Sequence, residues 1–202
     1  MIKKQSSDSV ILDIIEPSIA FPQIRLEKGQ TLGIYTENPI VLTSNFFRLI
    51  SEPEKYAKKV MVNGIIANGT NWVGRVFTHI VVPGIWEDSI CNILKNKPKR
   101  RHLIFIGANS NEIRYEELAN ISRFVTDYKK DGSIFVITDS KELLEATVEK
   151  VIDEKGLELT MKQGDFFERL SDKTEVSELS NIISNIEDLR YKKWKLADNS
   201  QK

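Results

Sequence analysis

The sequence is poor in the residues that most metal and redox sites require. It has a single cysteine, Cys91, and two histidines in 202 residues. One cysteine excludes an internal disulfide, and no cysteine or histidine spacing is typical of a zinc site, so we expect no metal. The chain has no excess of either charge, with 29 Lys plus Arg against 29 Asp plus Glu. Its net charge therefore gives no reason for the whole protein to bind nucleic acid or anionic lipid.

Long apolar runs are also missing. None approaches the ~20 residues that cross a bilayer, so we expect any contact with a membrane to be made through a partner. The first residues, Met1–Gln5, have no secretory signal pattern, which favours a reducing cytosol. The hydrophobic content of 41% is enough for a sizeable core at this length.

Two uninterrupted apolar segments indicate the fold class. Residues 103–106 and 133–138 have the composition of strands buried on both faces of a parallel sheet. The amphipathic stretch between them predicts a helix that the segment Asn109-Ser110-Asn111 can cap and that runs to about Lys130. A strand, a helix and a strand in series demand a right-handed crossover. The prediction is an α/β fold with a mostly parallel buried sheet, flanking helices and antiparallel edge hairpins.

The amino-terminal part predicts further elements. Strands are expected at residues 10–15, 21–26, 31–35 and 76–82, and hairpins at 59–67 and 147–161. Helices are expected at 44–50, with Thr43 as its N-cap, and at 141–146, with Asp139 as its cap. An amphipathic helix is predicted from Glu175 to about Trp194. We therefore divide the chain into a domain over 1–170 and a helical extension over 171–202.

The order of these elements resembles the ATP-binding cassette of ABC transporters, a P-loop NTPase fold. Residues 26–34, Leu-Glu-Lys-Gly-Gln-Thr-Leu-Gly-Ile, resemble the strand that enters the phosphate loop. Residues 80–93 resemble the Q-loop region. Residues 103–107 resemble the Walker B strand, and 134–138 the strand that precedes the switch histidine. The resemblance covers roughly residues 10–167 and implies the fold.

The motifs that carry the family's chemistry are altered. In the phosphate loop, Thr36 and Val41 stand at two glycine positions and Leu42 at the lysine position. Gly107 and the following alanine replace the Walker B acidic pair, and Asp139 replaces the switch histidine. The Leu-Ser-Gly-Gly signature and the helical subdomain are missing. The resemblance thus implies a pseudo-ATPase with no cofactor and no catalytic residue, and with Thr43 and Ser44 as the weak remaining nucleotide-site candidates.

The resemblance also implies a docking surface. In ABC transporters the region after the Q-loop strand contacts the membrane subunit, so the candidates for partner docking are Pro83, Gly84, Ile85, Trp86 and the loop residue Trp72. Our hypothesis is a regulatory subunit of a bacterial ABC system that binds a permease or an active ATPase, or that self-associates. Such a subunit would be cytoplasmic and at most peripheral to the inner face of the membrane.

Two alternatives from other functional classes stay open. One is a nucleotide-binding enzyme with a non-standard phosphate loop, in which Thr43, Asp139 and Glu112 would be the polar residues. The other is an anion- or nucleic-acid-binding module that uses the basic run of Lys95, Lys97, Lys99, Arg100 and Arg101. No aromatic residue is interleaved with these charges, so the run has no platform for stacking bases, which disfavours nucleic acid.

Overall fold

The structure, a computed structural model, describes residues 10–62, 65–67, 77–81, 103–130 and 132–160, all within the compact unit Met1–Met161. Several predictions made from sequence fall outside the described residues. They are the docking candidates Trp72, Pro83, Gly84, Ile85 and Trp86, the basic run Lys95, Lys97, Lys99, Arg100 and Arg101, and the extension 171–202.

The described strands are, in chain order, β1 (Val10–Pro17), β2 (Ile24–Glu27), β3 (Thr31–Tyr35), β4 (Ala57–Val62), β5 (Ile65–Ile66), β6 (Phe77–Val81), β7 (Leu103–Ala108), β8 (Ser133–Thr138), β9 (Lys150–Ile152) and β10 (Glu158–Leu159). The described α-helices are α1 (Pro39–Ser51), α2 (Pro53–Tyr56), α3 (Tyr115–Tyr128) and α4 (Lys141–Thr147). A short 3-10 helix spans Ser110–Glu112. In the described ranges no helix is both long enough and apolar enough to span a membrane.

The strands form two sheets. Six strands in the order β10-β9-β3-β8-β7-β6 make a sheet that is parallel except for the β9–β10 pair at its edge. Four strands in the order β2-β1-β4-β5 make a separate antiparallel sheet. The predicted α/β class with a mostly parallel sheet is confirmed. The predicted pairing near residues 59–67 is present as β4–β5, in the second sheet.

Strands β7 and β8 are buried along their whole length, as their apolar composition predicts. They pair in parallel, with Phe105 opposite Phe135. Parallel strands covered on both faces need apolar side chains at every position, because neither face meets water. These two strands form the centre of the sheet together with β3.

Helix α1 begins earlier than the sequence pattern predicts. The expected start was Ser44, with Thr43 as N-cap, whereas the helix begins at Pro39 and its N-cap residue is Asn38. Proline is well tolerated at the first helical position, because its missing N–H is one that the helix leaves unpaired there. Thr43 therefore lies inside the helix, and its assignment as a cap was wrong.

The structure also differs from the predictions at the cap of α4 and at the start of the helix expected from Asn109. Ser140, not Asp139, caps α4, since the Ser140 side chain accepts a hydrogen bond from the Leu143 N–H at 3.1 Å. The expected helix from Asn109 to about Lys130 is divided into the 3-10 helix and α3. The Glu112 carboxylate accepts hydrogen bonds from the Asn109 N–H at 2.7 Å and from its side-chain amide at 3.2 Å.

Gly33 lets α4 pack directly on β3. A Cβ at this position would lie 2.4 Å from Leu144 Cδ2 and 2.9 Å from Val148 Cγ2. Contacts that short do not occur between real carbon atoms, so a larger residue here would force the Leu144 and Val148 side chains to move. The close approach positions β3 and α4 relative to each other.

We expect Gly33→Ala to lower the free energy of unfolding by about 1–3 kcal/mol, because the added methyl group overpacks the interface with Leu144. Urea denaturation of the purified protein measures the loss. In a Leu144→Ala background the same substitution should cost less, because the nearest clashing atom, Leu144 Cδ2, is gone while Val148 Cγ2 remains. Equal costs in the two backgrounds would contradict this explanation.

Candidate functional site

The carboxyl ends of β3, β8 and β7 lie side by side, because these strands are parallel and in register. Tyr35 pairs with Thr138, and Thr138 pairs with Ala108. The chain leaves β3 with the Thr36 N–H bonded to the Thr138 carbonyl oxygen at 3.1 Å. Ligands of open α/β sheets bind at this carboxyl edge. The side chains that gather at this edge are therefore the candidates for a functional site.

Three residues, Thr36 to Asn38, connect β3 to α1. The Asn38 N–H donates a hydrogen bond to Thr36 Oγ1 at 3.0 Å. The Thr36 hydroxyl in turn donates a short hydrogen bond to the Glu154 carboxylate. Thr36 is buried. Its hydroxyl therefore links the segment between β3 and α1 to the β9–β10 hairpin.

Hydrogen bonds within the β9–β10 turn fix the position of Glu154. Asp153 Oδ1 accepts hydrogen bonds from the Lys155 N–H at 2.9 Å and from the Leu157 N–H at 2.8 Å. Gly156 has a φ of 83°, a conformation that other residues rarely adopt. The turn thus has a defined shape that holds Glu154 and Lys155 next to the start of α1.

Between the hairpin and α1 lies a cleft of about 440 Å³, which we call the α1 cleft. Its wall is aliphatic on the α1 side, where Val41 and the buried Leu42 lie, and polar on the hairpin side. Asn45 also lines it, with its Nδ2 donating to the Ala20 carbonyl oxygen at 3.0 Å. The lining residues are Ala20, Thr36, Asn38, Val41, Leu42, Asn45, Glu154 and Lys155.

Thr43 and Ser44, the weak candidates from sequence, face different surroundings. Thr43 is buried, and its Oγ1 lies 2.9 Å from the position that a Cβ of Gly107 would occupy. The Thr43 hydroxyl therefore faces the backbone of β7 where the resemblance places the Walker B acidic pair. Ser44 is exposed. The two hydroxyls are not brought together into one site.

The carboxylates proposed for an alternative enzyme stabilise the loop after β7. Asp139 Oδ1 accepts from the Ser110 N–H at 2.6 Å, and Asp139 Oδ2 accepts from the Ser110 hydroxyl at 3.0 Å. Glu112 bonds Asn109, as described above. In the described part of the chain, no hydrogen bond joins Thr43 to either carboxylate, and no three metal-ligating side chains lie together.

The residues at this edge do not fit a magnesium nucleotide. A phosphate loop uses backbone N–H groups, a lysine and a hydroxyl on the metal. Here Pro39 has no N–H, the Leu42 N–H is bonded to the Asn38 carbonyl oxygen at 3.1 Å, and Leu42 is aliphatic at the position that the resemblance equates with the lysine. Lys155 lines the cleft, but the neighbouring Glu154 carboxylate offsets its charge and would repel a phosphate.

Sequence reasoning missed Thr36 as a hydrogen-bonding residue, and it missed Glu154 and Asn45 altogether. Glu154 lies within the hairpin predicted over residues 147–161, to which no site residue was assigned. The signal that could have identified it is topological, since β9 pairs in parallel with β3 and therefore delivers its carboxyl end to the same edge. No local pattern reveals that pairing.

Comparisons with known proteins agree with the fold. No protein-family model matches the sequence, and no curated protein matches it. Among solved structures, CbiO1 from Clostridium perfringens, part of the ABC transporter complex CbiONQ, is similar with 12% identity and a TM-score of 0.51 over 88% of this chain and 97% of that chain. MJ1267, an ATP-binding cassette of an ABC transporter in its ADP conformation, is similar with 13% identity and a TM-score of 0.50, over 85% and 98%. The chain therefore has an ABC-ATPase-like fold.

We expect Thr36→Val to destabilise the protein by about 1–3 kcal/mol, because it removes the acceptor for the Asn38 N–H and the donor to Glu154. Denaturant unfolding measures the change. Thr126→Val is the matched control: among the described residues, the Thr126 hydroxyl bonds only the Ser122 carbonyl oxygen, at 2.9 Å on an exposed part of α3. Its cost should stay within about 0.5 kcal/mol. Equal losses in both variants would show that the link to Glu154 contributes nothing.

Proposed function

We propose that this protein is a catalytically inactive, ABC-cassette-like subunit whose task is to bind a protein partner, either an ABC permease or an active ATPase subunit. It would act by docking on that partner and biasing its assembly. Because the fold is that of an ABC ATPase while the carboxyl edge does not fit a magnesium nucleotide, protein binding is the function that accounts for both.

The observation that carries the proposal is the structure at the start of α1. The helix begins at Pro39, so positions 39–43, which the resemblance equates with the phosphate loop, are already helical. Leu42 belongs to the hydrophobic core, and Gly107 faces the Thr43 hydroxyl where the family has a carboxylate. Without a lysine on the phosphates and an acid near the metal, hydrolysis by the family's mechanism has no means of charge stabilisation.

The nature of the partner is inferred from the solved structures that share the fold. CbiO1 is part of an ABC transporter complex, and MJ1267 is a cassette of an ABC transporter. A chain with the same fold can present a similarly shaped surface to a permease or to another cassette. We propose a location on the cytoplasmic side of the membrane, reached through this partner.

We expect no binding of ATP with magnesium at millimolar concentrations, because neither charge nor geometry at the carboxyl edge favours phosphate. Isothermal titration calorimetry on the purified full chain measures this, with an active ABC ATPase subunit as positive control. Saturable heat that disappears in Thr43→Ala would contradict the proposal. It would favour instead the nucleotide-binding enzyme with a non-standard loop.

A second expectation concerns association. The tagged full chain should co-purify, after chemical cross-linking in the cell that produces it, with an ABC permease or ATPase subunit. An unrelated tagged protein of similar size, expressed at the same level, shows the background. If cross-linking followed by mass spectrometry recovers no ABC component above that background, the proposed partner class is wrong.

A further inference from the structure

We draw no further inference here: the strongest candidate, the exposed apolar pair Ile40 and Val41 on the first turn of α1, carries nothing, because nothing in the described part of the chain shows what covers it.

Discussion

The burial of Phe46 is the contact on which the arrangement of the described elements depends. Its ring lies 4.8 Å from the ring of Phe105 and 5.1 Å from that of Phe135, on adjacent strands of the parallel sheet, and 5.7 Å from that of Phe21, which precedes β2. Each such aromatic pair contributes about 0.5–1.5 kcal/mol beyond the area that it buries. A single side chain of α1 therefore contacts residues associated with both sheets, and one hydrophobic core includes strands of each.

The position of Phe46 determines which other residues of α1 face the core. Residues at i−4 and i+3 of a helix lie on the same face, so Leu42 and Leu49 are directed into the core together with it. The residue after Leu42 is then brought over β7, which explains the closeness of Thr43 to Gly107. In the first turn, Ile40 and Val41 remain exposed. The hydrophobic contacts of the helix and the surface at its start are thus consequences of one packing arrangement.

How well the sequence predicts each part of this structure depends on how far apart in the chain the interacting residues lie. The apolar strands β3, β7 and β8 were predicted closely, because burial on both faces leaves a continuous local signal. The start of α1 was placed five residues too late, since residues 36–42 were assigned to a phosphate loop, whereas Pro39 is accepted at the first helical position. The antiparallel sheet was predicted only as separate strands and a hairpin, because its order depends on long-range pairing.

The candidate site was predicted less well than the fold for the same reason. Thr36 and Glu154 are 118 residues apart, and only the pairing of β9 with β3 brings them into contact. Thr43, which local pattern did single out, is directed by the helix toward Gly107 and away from the cleft. Local patterns therefore identified residues near the carboxyl edge but not the partners that give the edge its charge.

The polar groups at the start of α1 are hydrogen-bonded within the chain, so the stability of this region does not depend on a bound anion. In a phosphate loop, backbone N–H groups are left open for the ligand. Here the Asn38 N–H is satisfied by Thr36, the Thr36 hydroxyl by Glu154, and the hairpin that carries Glu154 by Asp153. The chain supplies its own carboxylate at the end of the helix dipole where an anion would be attracted. With that demand met internally, the start of α1 does not depend on a bound anion for its hydrogen bonds.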